Sequence, residues 1–146
     1  MWKGKYWLIF LLPVFVTACR MEHTEVAEKW EDGSPKKVLT YRGAGDDRLL
    51  IRETQYFPGK KVYIEGGYKE GKRHGKWTSY FQNGKINSEI DYVNGMEEGM
   101  KVVYFENGKV KFKGPVSKGE RQGKWQYFDE FGQLHKEVDF SAPRPE

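Results

Sequence analysis

An all-β fold, an elongated antiparallel β-meander built of hairpin repeats of about 24 residues each, is predicted by three features of this sequence. First, Tyr56, Tyr80, Tyr104 and Phe128 stand 24 residues apart, as do Val62, Ile86, Val110 and Leu134. Second, glycines keep the same frame: Gly71, Gly95 and Gly119, then Gly75, Gly99 and Gly123, then Gly84, Gly108 and Gly132. Third, hydrophobicity inside a unit alternates with period two. Ile86, Ser88, Ile90 and Tyr92 alternate with Asn87, Glu89 and Asp91, the pattern of a half-buried strand rather than a helix.

The first element of the chain is of another kind. Lys3 and Lys5 precede an uncharged stretch from Tyr6 to Ala18, the layout of a signal peptide. The stretch is shorter than the roughly 20 apolar residues that a membrane-spanning helix needs. Val16, Thr17 and Ala18 lead into Cys19, the only cysteine, and this resembles a bacterial lipobox. Residues 1–18 are therefore expected to be cleaved and Cys19 to carry lipid, with residues 19–29 as a linker. Cleavage lowers the net charge from +4 to +2, because two of the 25 basic residues leave while all 21 acidic ones stay. That near balance favours neither nucleic acid nor electrostatic membrane binding. Acyl chains on Cys19 would supply the membrane attachment instead.

The repeat domain is expected over residues 30–140, with residues 141–146 as a tail. Val38 keeps the frame and Trp30 with Asp32-Gly33 begins a degenerate unit, but Arg42 to Leu50 interrupts the pattern. Such a divergent first unit is how repeat arrays are capped. Each later unit reads as an aromatic strand, a turn and an alternating strand. The turn is Asn83-Gly84 or Asn107-Gly108, a dipeptide that supplies positive φ for tight hairpins. Ile86, Ile90 and Tyr92, with their counterparts, mark the better buried face. Asn87, Glu89, Asp91, Lys111, Lys113, His135, Glu137 and Asp139 mark a polar face of mixed charge.

The segments Gly71-Lys72-Arg73-His74-Gly75-Lys76-Trp77 and Gly119-Glu120-Arg121-Gln122-Gly123-Lys124-Trp125, each followed by a tyrosine-led turn, resemble MORN repeats of the bacterial variant. The resemblance covers residues 53–140 well and residues 30–52 weakly. It departs at Lys101, where a tryptophan is expected, and at Phe131, where the turn asparagine is expected. It implies the β-repeat fold and a scaffolding or membrane-associated role, and one group of such proteins consists of antitoxins.

Motifs that carry chemistry are sparse. Gly66 to Arg73 approaches a phosphate-binding loop, but an arginine stands where the loop needs a hydroxyl, so these glycines read as turns. His23, His74 and His135 have no ligand-spaced partner. Asp46-Asp47 and Glu97-Glu98 lack the calcium-loop pattern and read as solvated loops. The serines at 34, 79, 88, 117 and 141 lie in no nucleophile motif. Neither a catalytic residue nor a metal or cofactor is expected. Tyr80, Tyr104 and Phe128 could stack bases, but the chain lacks the basic funnel, and buried area explains the rings better.

Trp77 and Trp125, two repeats apart with Lys101 between them, are the candidate partner-binding residues. They either grip a flat partner or close the core at a strand end. The reading is a non-enzymatic, lipid-anchored binding or scaffold protein of the bacterial cell envelope that recognises a protein or glycan on its sheet face. The alternative is an antitoxin that neutralises a cognate toxin.

Overall fold

The computed structural model describes residues 21–141. The expected signal peptide, Cys19 and most of the expected tail lie outside these residues. Among the described residues, eleven strands form one antiparallel sheet: β1 Glu22–Lys29, β2 Pro35–Arg42, β3 Leu49–Tyr56, β4 Val62–Lys69, β5 Lys72–Tyr80, β6 Ile86–Val93, β7 Met96–Tyr104, β8 Val110–Ser117, β9 Glu120–Arg121, β10 Lys124–Phe128 and β11 Leu134–Asp139. Each strand pairs with the next in sequence, except that β8 pairs with both β9 and β10. The sheet is thus an open meander, as the 24-residue frame predicts. The expected linker is corrected in part: Glu22–Lys29 pairs with β2, so the sheet begins eight residues before residue 30. Arg42–Glu22 and Arg48–Glu25 contacts, both 2.8–2.9 Å, tie this strand down.

Two kinds of turn alternate, one at each end of the strands. At one end the turns begin at Trp30, Phe57, Phe81, Phe105 and Asp129. In each, the N–H of that residue donates to the carbonyl four positions on, at 2.8–3.0 Å. Gly84, Gly108 and Gly132 carry positive φ in these turns, and the ladder slips by one residue beside them. This is the three-residue loop closed by a bulge, not the two-residue turn that Asn-Gly suggested. The asparagine serves another purpose: Asn83 Oδ1 accepts from Lys85 N, and Asn107 Oδ1 from Lys109 N, both at 2.9 Å. Phe131 replaces the asparagine without damage because Asp129 Oδ1 accepts from Phe131 N and Gln133 N instead.

At the other end stand two-residue turns, Glu70-Gly71, Asn94-Gly95 and Lys118-Gly119, with φ positive at both positions. That is the geometry whose twist matches paired strands. Gly95 N donates to Arg73 O and Gly119 N to Glu97 O, so the second and third of these turns are bonded to the unit before them. The interrupted stretch Arg42 to Leu50 takes the place of the first such turn, as a short 3-10 segment at Gly45–Asp47.

The core lies on the face predicted to be buried. Trp77, Ile90, Val116 and Trp125 are its buried residues, with Ile64, Tyr68, Tyr92, Phe112 and Tyr127 packed around them. Ile86 and Leu134, expected in the same rows, are exposed. They follow the bulge of each turn, where the ladder has just slipped.

Candidate binding surfaces

The tryptophans occupy the centre of the buried face, and pairing explains how a single-layer sheet can cover them. Trp77 stands opposite Gly66 on β4 and Ile90 on β6, while Trp125 pairs with Val138 on β11. A Cβ added at Gly66 would lie 2.2 Å from the Trp77 ring, and one at Gly114 2.3 Å from the Trp125 ring. Each indole therefore lies flat across a glycine of the strand before it. Its N–H donates to Gly67 O at 3.1 Å or Pro115 O at 3.0 Å. An arginine closes the outer side, Arg73 at 3.9 Å from the Trp77 ring centre and Arg121 at 4.4 Å from that of Trp125. Glycine, indole and guanidinium form three tiers, in which the cation meets the negative face of the ring.

The middle unit replaces all three tiers at once. Ile90 stands in the glycine column, Lys101 in the tryptophan column and Glu97 in the arginine column. Lys101 Nζ reaches both Glu97 oxygens, at 2.8 and 2.9 Å. Glu53 occupies the same column one unit before Trp77. It is buried, and accepts from Tyr68 Oη at 3.0 Å and Gln55 Nε2 at 2.7 Å. Burial beside this carboxylate pushes the Tyr68 hydroxyl pKa up.

This arrangement corrects the partner-binding expectation for the tryptophans. Trp77 is 2% exposed and Trp125 1%, so neither ring offers a surface to a partner. Lys101 is half-buried and held by Glu97. Gly66 and Gly67, expected in turns, lie within β4. Glu97 and Glu98, expected in a loop, lie on β7. Glu98 there accepts from Lys118 N at 3.0 Å. His23 stacks on Tyr41, and His74 keeps a buried Nδ1 without a hydrogen-bond partner among the described residues. No group of His, Cys, Asp and Glu among the described residues is placed to hold a metal ion.

The opposite face carries the rows of tyrosines. Tyr80 Oη donates to Glu65 at 3.0 Å and Tyr104 Oη to Glu89 at 2.9 Å, one repeat apart. Burial, and then the neighbouring carboxylate, raise both phenol pKa values. In the next unit both partners change together: Phe128 has no hydroxyl, and Lys113 Nζ sits 5.7 Å from its ring centre. These rings are fixed in place and are not a free stacking platform.

Beside them runs a row that the sequence reading did not single out. The first residues of four homologous turns are aromatic: Trp30, Phe57, Phe81 and Phe105. Three of them lie near the residue six positions on. Lys36 is 5.2 Å from the Trp30 ring centre, Tyr63 meets Phe57 edge-on at 5.0 Å, and Lys111 is 5.5 Å from Phe105. Two open grooves lie along this row. One of about 460 Å³ lies between Phe81 and Phe105, lined also by Tyr104, Asn87, Lys111, Glu106 and Glu130. The other, about 260 Å³, lies between Trp30 and Phe57, with Tyr56, Tyr63, Gln55 and Lys36. The 24-residue spacing of Phe57, Phe81 and Phe105 was a legible signal. Trp30 was not in the frame because of the interruption after Arg42.

Comparison with known families agrees with this repeat geometry. The model of the MORN repeat variant matches residues 73–94, 97–118 and 121–142. Each matched segment starts just after the two-residue turn and spans one hairpin. No curated protein and no solved structure matches the chain. Trp77, Trp125 and the turns at Gly84, Gly108 and Gly132 thus fall within the matched segments, and residues 73–142 of the chain are similar to three MORN-variant repeats.

Proposed function

We propose that this protein is a non-enzymatic, lipid-anchored binding or scaffold protein of the bacterial cell envelope, which holds a protein or glycan along its repeat sheet. The observation that carries the reading is the row of Trp30, Phe57, Phe81 and Phe105 with grooves between its rungs. The groove at Trp30 and Phe57 is mainly aromatic, and the one at Phe81 and Phe105 combines three aromatic rings with polar side chains; concave sites that join apolar walls to a few polar groups are where ligands bind. Repeat arrays use such extended surfaces for binding rather than catalysis. Anchoring rests on the apolar run from Tyr6 to Ala18 and on Cys19. The experiment is metabolic labelling with a fatty acid, followed by fractionation. The chain should take up label and sediment with membranes, and Cys19→Ala should lose the label and appear in the soluble fraction. A Cys19→Ala chain that stays in the membrane fraction contradicts the anchor.

A further inference from the structure

The turn row has a regular spacing, and that spacing is chemical information. Successive rungs from Phe57 to Phe105 are separated by two strands. At roughly 4.8 Å between neighbouring strands, the rungs are about 10 Å apart. In an extended β-1,4-linked pyranose chain, each sugar is turned over relative to the one before, so the same ring face recurs once per disaccharide. One disaccharide advances by about the distance between two rungs. We infer that the row Trp30, Phe57, Phe81 and Phe105 is a track for a β-1,4-linked glycan strand, with one sugar of each disaccharide stacked on each aromatic rung. This inference rests on the binding-protein reading above and names its ligand class.

The lining fits a sugar better than the other polymers that stack. A pyranose offers C–H bonds on its face, which suit the negative face of an aromatic ring, and hydroxyls around its edge, which need polar partners. Asn87, Glu106, Glu130 and Lys111 line the larger groove. Their side chains make no hydrogen bond or ion pair within the described residues, apart from the Lys111 contact with Phe105. The floor is already rigid, because Tyr104 is held by Glu89, so little order is lost on binding. A single-stranded nucleic acid would also stack, but it requires excess positive charge. The five turns of this edge carry Lys60, Lys61, Lys85 and Lys109 against Glu31, Asp32, Glu106, Asp129 and Glu130. Lys61 and Lys109 are committed to the carbonyls of Gln82 and Phe131. Lys36 and Lys111, against the Trp30 and Phe105 rings, bring the row to six lysines against these five carboxylates, a near balance without the excess positive charge that a polyanion requires.

The test uses the full chain in detergent and oligomers of β-1,4-linked N-acetylglucosamine with two to eight sugars, followed by calorimetry. The α-1,4-linked glucose oligomers serve as control. Affinity should rise by roughly three- to tenfold with each added disaccharide, the range that one aromatic stacking contact supplies, until the row is spanned. The α-linked series should not bind. Phe81→Ala with Phe105→Ala should abolish the length dependence while the far-ultraviolet spectrum is kept, and Phe81→Trp should bind like the parent, so that loss of a ring is distinguished from loss of the fold. Affinity independent of length, or equal for both series, or unchanged in the double variant, overturns the glycan track. Capture of an envelope protein that the double variant loses, with no oligosaccharide binding, overturns the glycan and leaves the binding reading intact. A folded chain that binds neither overturns both.

Discussion

Gly66 and Gly114 separate two uses of glycine that look alike in a sequence. Several glycines here sit in turns at positive φ with open space around the missing Cβ, as Gly84 does at φ 85°. Gly66 and Gly114 have ordinary strand conformations, and each is roofed by an indole. Adding a methyl group at Gly84 meets only the backbone preference, about 1–2 kcal/mol. At Gly66 or Gly114 it would sit 2.2–2.3 Å from atoms of a buried ring and must push that ring off its strand, which costs about 3 kcal/mol, the upper end of the usual range for core overpacking. Urea denaturation of Gly66→Ala and Gly114→Ala should therefore show midpoints well below that of Gly84→Ala. Equal losses at all three would mean that the rings do not rest on these glycines. The turn glycines were legible from their frame alone. The roofed pair was not, because nothing along the chain shows that Gly66 lies beneath a side chain on the next strand.

At the level of elements, strand character and the buried face were readable in the alternation of Ile86, Ser88, Ile90 and Tyr92, and the structure places Ile90 in the core. The turn types were not, because Asn-Gly occurs at both ends of the strands. At Asn94-Gly95 it makes the two-residue turn, and at Asn83-Gly84 only glycine has positive φ. Strand length and register decided between them, and neither is local information. Cross-strand dependence also explains Lys101, which departs from the repeat because Ile90 fills the place of the glycine a tryptophan would need. Lys101→Trp alone should destabilise by overpacking, and Ile90→Gly alone by lost burial. The two together should destabilise less than their sum, with a coupling of about 1–3 kcal/mol, as expected for side chains in contact. Additive losses in a denaturation cycle would separate the two columns.

Across the whole molecule, each strand pairs with its sequence neighbours, apart from the pairing of β8 with β10 past the short β9, so the core is a row along the ribbon and not a central mass. That is why a one-dimensional signal, the 24-residue frame, carried so much of the fold. It carried less of the site. The tryptophans drew attention as binding residues because their size and spacing are visible in the sequence, whereas their burial depends on the glycines and arginines of other strands. The turn aromatics, which the structure leaves beside open grooves, appear in the sequence as ordinary members of a repeat. The central claim is that ligand meets the turn edge and not the tryptophan row, and the indole N–H signals report on both at once. With Trp30 at the edge and Trp77 and Trp125 in the core, a ¹H–¹⁵N titration of the full chain in detergent with an octamer of β-1,4-linked N-acetylglucosamine should shift the Trp30 indole signal and leave those of Trp77 and Trp125 in place. Shifts at Trp77 and Trp125 with Trp30 unmoved would contradict the account.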